Sequence, residues 1–157
     1  MRLYHASTVV VERPDVEHLR PNLDFGRGFY LTAIHEQAVR YATSFMRRGK
    51  SAFISEYDLD EESSDYVVKR FEGYDEEWLD YVSVCRHGDT PEQQYDAVEG
   101  GVADDKVFNT VDLYFAGMIS KQEALGRLKY EKPNHQICIL NGEVLVKHLH
   151  FVKAEEL

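Results

Sequence analysis

Cysteine is scarce. Cys85 and Cys138 are the only two in 157 residues, and they stand far apart with no partner spacing. Both read as buried thiols of a chain that works in a reducing compartment. No HExxH and no paired CxxC is present, so the common zinc patterns are missing. No GxxxxGK[ST] loop appears, which excludes a P-loop enzyme. Long apolar runs are lacking too: no window approaches the roughly 20 residues of a membrane span. The opening "MRLYHASTVVVERPD" is too polar for a secretion signal, so a cytoplasmic location is expected. Positive charge is in deficit, with 18 Lys and Arg against 28 Asp and Glu and a formal net charge of −10. Such a chain repels phosphate backbones, and tight unaided binding to nucleic acid is disfavoured. The one opening for it is a local basic patch built from Arg20, Arg27, Arg40, Arg47 and Arg48.

What is present is a folding sequence. Hydrophobic residues make up 43% of the chain, there are no repeats, low-complexity tracts or linkers, and one domain over residues 1–157 is expected. "RLYHAS" alternates as a short strand with Leu3 and His5 on one face. "VERPDVEHLRPN" carries two prolines and reads as an irregular connection. "GFYLT" reads as a strand. Thr32 is expected to cap a helix running to about Arg48, with Ala38, Tyr41, Ala42, Phe45 and Met46 as its buried stripe and Gly49 as its stop. "SAFISEYDL" and "DYVVKRF" follow as strands around an acidic loop. "DEEWLDYVSVCRHG" reads as a helix with acids at its N-terminal end. "QYDAVEGGV" is a buried strand entering a glycine turn. Helices are expected from about Asp104 to Phe115 and again from Ser120, where "SKQE" has the form of a capping box. "HQICIL" is an apolar strand, "NGE" a tight turn, and "HLHFV" a last strand. Strands and helices mix without a regular βαβ rhythm, which makes the fold class α+β.

The stretch "DFGRGFYLT", Asp24 to Thr32, holds the most permissive backbone of the chain beside an aromatic pair. Either the chain turns sharply there or a ligand comes close to the backbone. "GRGFYL" is not a dinucleotide-binding GxGxxG, because its glycines precede a strand and not a helix. His148 and His150 would share a strand face, but no third metal ligand is evident. Asp104 and Asp105 read first as a helix cap and a first-turn acid, and only second as catalytic carboxylates. His5, Tyr30 and Gln136 each have an ordinary structural reading when taken singly: a hydrogen-bonded strand histidine, a core tyrosine, a solvent-facing glutamine.

Taken together with the glycine loop, these residues resemble a known pattern. "YHAS" followed by "DFGRGFYLT" looks like the opening of an ADP-ribosyltransferase fold of the diphtheria-toxin and poly-ADP-ribose-polymerase type. That family has a His-Gly-Ser motif on its first core strand and a Gly-Lys-Gly-hydrophobic-Tyr motif entering the next. Gly26, Arg27, Gly28, Phe29 and Tyr30 match the second motif position by position. "YDAVEGGVADD" and "NHQICIL" further resemble a bacterial family of uncharacterised ADP-ribosyltransferase-like proteins, in which such a block precedes an Asn-x-Gln strand. The resemblance implies a split-sheet core, NAD as the substrate, and no metal. It implies that His5 hydrogen-bonds a ribose hydroxyl, that the backbone of Ala6 holds the nicotinamide amide, and that Ser7 supports them. Gly26 and Gly28 would let the dinucleotide approach, Arg27 would face the pyrophosphate or solvent, and Tyr30 would stack on the nicotinamide ring. Gln136 would take the third position, where many relatives carry glutamate.

The chemistry accounts for these residue types. Departure of nicotinamide leaves an oxocarbenium-like ribose, as in glycoside cleavage. Stacking and backbone bonds set the geometry of the leaving ring in advance. A carboxylate at the third position would add negative charge, whereas the Gln136 amide accepts a hydrogen bond without charge. Glu99 and Asp105 are the acids that could supply it. The expected activity is toxin-like mono-ADP-ribosyl transfer in a bacterial cytoplasm, restrained by a small antitoxin-like protein partner. The alternatives are an NAD or ADP-ribose binding module without catalysis, and an NAD glycohydrolase.

Overall fold

Alternation of apolar and polar residues at the N-terminus makes the first strand, β1 (Arg2–Ser7), with Leu3 fully buried. The structure, a computed structural model, describes residues 1–17, 19–61, 63–132 and 134–157. His18, in the proline-bearing connection, and Glu62, in the acidic stretch, lie outside the described residues, as does Pro133. The remaining elements, in chain order, are β2 (Phe29–Leu31), α1 (His35–Arg47), β3 (Phe53–Leu59), β4 (Val68–Arg70), α2 (Glu76–Arg86), β5 (Ala97–Gly100), α3 (Asp105–Phe115), α4 (Lys121–Leu128), β6 (Gln136–Ile139), α5 (Gly142–Lys147) and β7 (Leu149–Glu156). The fold is mixed α+β, with two sheets and five helices among the described residues.

One sheet has three antiparallel strands in the order β1-β3-β7. The other has four, in the order β2-β6-β5-β4, antiparallel except for the parallel pair β4–β5. The two are joined where Tyr4 and Thr32 exchange backbone hydrogen bonds of 2.8 and 2.9 Å. Two large cores follow. Leu3, Tyr57 and Leu59 of the first sheet meet Phe29, Leu31, Ile137 and Ile139 of the second between the sheets. On the far face of the four-stranded sheet, Val98 and Cys138 pack against Trp78, Leu79 and Val82 of α2, Val107 and Val111 of α3, and Ala124 and Leu128 of α4. Both thiols are free and buried. Burial pushes Cys85 up to about 12 and raises Cys138 as well.

The helix caps mostly follow the polar residues that precede each helix. Asp75, Asp104 and Ser120 accept from the backbone N–H three residues on, at 2.8, 3.2 and 3.1 Å. Three expectations are corrected. Thr32 does not cap α1: Ile34 stands at the N-cap, and the Thr32 hydroxyl accepts from Ile34 N instead. The α1 stripe is narrower than its spacing suggests, since only Ala38 and Ala42 are buried while Tyr41 is 62% and Met46 47% exposed. The third core beneath α1 is small, built of Ala38, Ala42, Ala52 and Ile54 with Tyr4, Val39 and Phe45 partly buried against it. "NGE" is not a tight turn but the start of α5, where Asn141 accepts from Glu143 N and Val144 and Leu145 are buried. His148 therefore closes that helix, and only His150 lies on β7.

Candidate functional site

The three strands that carry the singled-out residues lie side by side. His5 is on β1, Tyr30 on β2 and Gln136 opens β6; β1 is joined to β2 through Thr32, and β2 pairs with β6. The side chains themselves divide between the two faces of the four-stranded sheet. His5 lies at the seam of the sheets, its ring 4.3 Å from that of Phe29. Phe29 belongs to the core between the sheets, whereas Tyr30, pointing the opposite way, packs against the helical core. Gln136 shares that second face with Cys138, which is opposite Tyr30 in the register.

His5 is held in one tautomer. Its Nδ1–H donates to the Tyr30 carbonyl at 2.8 Å. Burial lowers its pKa below the usual value of 6.5, and the bond to Tyr30 offsets only part of this. A neutral ring with Nδ1 protonated leaves Nε2 as a hydrogen-bond acceptor. Ala6 is half-buried on the reverse face of β1, against α1, and Ser7 ends the strand.

The glycine loop now has a physical account. Gly26 has φ +88 with open space where a Cβ would stand, so it is glycine for the turn. Gly28 has ordinary backbone, but a Cβ there would overlap Cys138 Sγ and come 2.8 Å from Ile139 O. It is glycine because β2 presses against β6. The Tyr30 hydroxyl staples this turn, accepting from Phe25 N at 3.0 Å and donating to Gly26 O at 2.6 Å. Its half-buried ring therefore already holds the loop in shape, and burial raises its pKa far above the usual range. Arg27 is exposed, with no ion pair among the described residues. Phe25, Gly26 and Arg27 line one wall of a cavity of about 700 Å³ whose other walls include Tyr81, Tyr95 and Leu140.

Gln136 is only 7% exposed. Its Nε2 donates to Asp24 Oδ2 at 2.9 Å and to Gly101 O at 3.2 Å. Asp24 is the residue that sequence reasoning passes over. It is buried, its Oδ2 also accepts from Ala103 N at 2.8 Å, and its Oδ1 is 2.9 Å from Arg86 Nε. That last approach is a charge pair without hydrogen-bond alignment. The Arg86 guanidinium lies 4.2 Å over the Phe108 ring. Asn134 completes the arrangement, accepting from Val102 N at 2.8 Å. Asn134, Gln136 and Asp24 together clamp the backbone from Gly101 to Ala103. The one sequence signal for Asp24 is its place at the head of the glycine loop.

A family model described as a protein of unknown function, DUF3990, matches residues 1–151. The chain belongs to that family. No curated protein and no solved structure matches it.

The acids that could supply charge to Gln136 are placed as follows. Glu99 faces the other side of β5, where His135 Nε2–H donates to it at 2.8 Å and Arg70 Nε at 3.1 Å. The hydrogen bond from His135, and then the nearby positive charges, hold its carboxyl below the usual range. His135 Nδ1 in turn accepts from Ala33 N. Asp105 is the first residue of α3, one past the cap Asp104. His148 and His150 both approach Asp60, at 3.4 and 3.0 Å, and hold its carboxyl low. Among the described residues no group of three or more His, Cys, Asp or Glu side chains is arranged to hold a metal ion, and no helix is long and apolar enough to cross a membrane.

Proposed function

We propose that this member of the family is a toxin-like mono-ADP-ribosyltransferase that uses NAD, of the diphtheria-toxin and poly-ADP-ribose-polymerase type. One observation carries the reading: His5 is fixed by the Tyr30 carbonyl as a neutral Nδ1–H tautomer at the seam of the sheets, which leaves Nε2 to accept a ribose hydroxyl. The adjacency of β1, β2 and β6 supports it, because the His-Tyr-Gln pattern then lies on three neighbouring strands. Gln136 would act through Oε1, its Nε2 being turned to Asp24 and Gly101. A small antitoxin-like partner and a bacterial cytoplasmic setting belong to the same proposal.

A specific observation favours a second reading, an NAD or ADP-ribose binding module. Gln136 is buried and faces the helical core, opposite to His5, so it does not stand beside the ribose site as a charge-stabilising group. Incubation with NAD labelled in the adenylate half, with and without cell extract, separates the readings. Label on a macromolecule supports transfer. Free ADP-ribose points to glycohydrolase activity. Bound, unchanged NAD supports the module, and no binding at all sinks both.

A further inference from the structure

Helix α1 carries a surface that neither core nor site uses. Ala38 and Ala42 face inward. At 100° per residue, Arg47, Arg40, Arg48 and Tyr41 follow one another around an arc of about 120°, bordered by Phe45, which packs partly against the small core of Ala38 and Ala42. Tyr41 is 62% exposed and meets the edge of Phe45, ring centroids 5.4 Å apart. The Arg48 guanidinium sits 5.5 Å from the centroid of the same Phe45 ring. From His35 to Lys50 the chain holds four Lys and Arg against the single carboxylate Glu36, in a molecule whose net charge is −10. Most cations elsewhere on the long strands and on α2 and α4 are tied up: Arg2 with Glu56 and Asp58, Arg86 with Asp24, Lys121 with Asp80, Arg127 with Glu123. Among the described residues Arg40, Arg47, Arg48 and Lys50 have no carboxylate within ion-pair distance.

We propose that this face of α1 binds single-stranded nucleic acid. Charge complementarity argues for a polyanion, and the exposed ring beside stacked guanidinium and phenyl groups argues for unpaired bases. Sequence-tolerant single-strand binding is built from such cations tracking phosphates and aromatic faces stacking bases. A duplex keeps its bases from Tyr41, and an acidic peptide would engage the arginines and leave the ring idle. The acidic remainder of the surface does not forbid the association. Its repulsion is screened beyond roughly 8 Å at physiological salt. The proposal stands independently of the NAD reading, because it uses none of those residues.

Fluorescence anisotropy with a labelled oligouridylate of about 15 nucleotides and a duplex of the same length tests it. The wild-type chain should bind the single strand more tightly than the duplex. Tyr41→Ala should weaken binding about tenfold with no change in melting temperature, since little of that ring is buried. Arg40→Gln/Arg47→Gln/Arg48→Gln should flatten the dependence on salt between about 50 and 200 mM, by roughly 0.7 of logarithmic slope for each phosphate left without its arginine. Three results would overturn the proposal: no binding at the lower salt, a triple variant that binds like wild type, or a wild type that binds phosphatidylserine vesicles or its own copy through this face while ignoring the oligonucleotide.

Discussion

At the scale of single residues the account turns on two polar side chains with different commitments. His5 has Nδ1 satisfied by the Tyr30 carbonyl and, among the described residues, no hydrogen-bond partner at Nε2, so that nitrogen can serve a ligand. Gln136 has its amide nitrogen satisfied twice and is buried, so it serves the fold first. Asp24 is the residue on which Gln136 depends. Asp24→Asn removes the charge facing Arg86 and turns an amide NH₂ toward a donor in either orientation, Arg86 on one side or Ala103 and Gln136 on the other. Removing one partner of a buried ion pair is strongly destabilising, and with Arg86 partly exposed the loss should be about 2 kcal/mol or more, read as a shift of the urea midpoint. An unshifted midpoint would mean that the Asp24–Gln136 clamp does not hold the strand exit. Gln136→Ala should also lower stability; nicotinamide release falling in a variant that melts like wild type would instead give Gln136 a catalytic part.

At the scale of elements, the glycine loop and strand β2 behave as one unit. Gly28→Ala should cost about 2–3 kcal/mol, because its Cβ has no space between Cys138 and Ile139. Gly26→Ala has space and only a left-handed backbone to tolerate, so about 1–2 kcal/mol is expected. Tyr30→Phe keeps the ring but leaves Phe25 N without its acceptor, at a cost of about 1–3 kcal/mol. Chemical unfolding of the three variants checks the order. A Gly28→Ala protein as stable as wild type would contradict the packing described for β2 and β6. Most elements are legible in the sequence, because period-2 alternation writes β1 and β3 and acidic or hydroxyl caps mark α2, α3 and α4. Tyr41 and Met46 recur at helical spacing with Ala38 and Ala42, but they stand on the flanks of that stripe, roughly 80° and 60° from its centre, and remain exposed. Residue type alone puts Gln136 in solvent, yet its buried acceptor lies 112 residues away in the chain. The strands bearing the candidate site can be named from the chain, whereas the face each side chain takes depends on pairing register.

At the scale of the molecule, the buried His5 and the half-buried Glu99 couple stability to acid, and exposed Asp60 adds a contribution of the same sign. The folded protein holds His5 less protonated than the unfolded chain does. Stability is therefore complete above 6.5 and falls as pH drops from 6.5 toward the lowered folded value. Glu99 is the opposite kind of group with the same sign: its carboxyl is held low by His135, so its contribution is present above the usual 4.5 and is lost as pH falls below that. Thermal melting between pH 7.5 and 5.5 should decline less in His5→Gln than in wild type, while Glu99→Gln should alter the decline only below about pH 4.5. Equal declines in wild type and His5→Gln would mean that His5 is not held neutral. The central claim is that NAD meets this chain at His5. Calorimetric titration of NAD into wild type and His5→Gln tests it most directly. The account predicts saturable binding at one site, weaker by about tenfold in the variant, which corresponds to one missing hydrogen bond near 1.4 kcal/mol. Equal affinity in the two proteins, or no heat of binding at millimolar NAD, would contradict it.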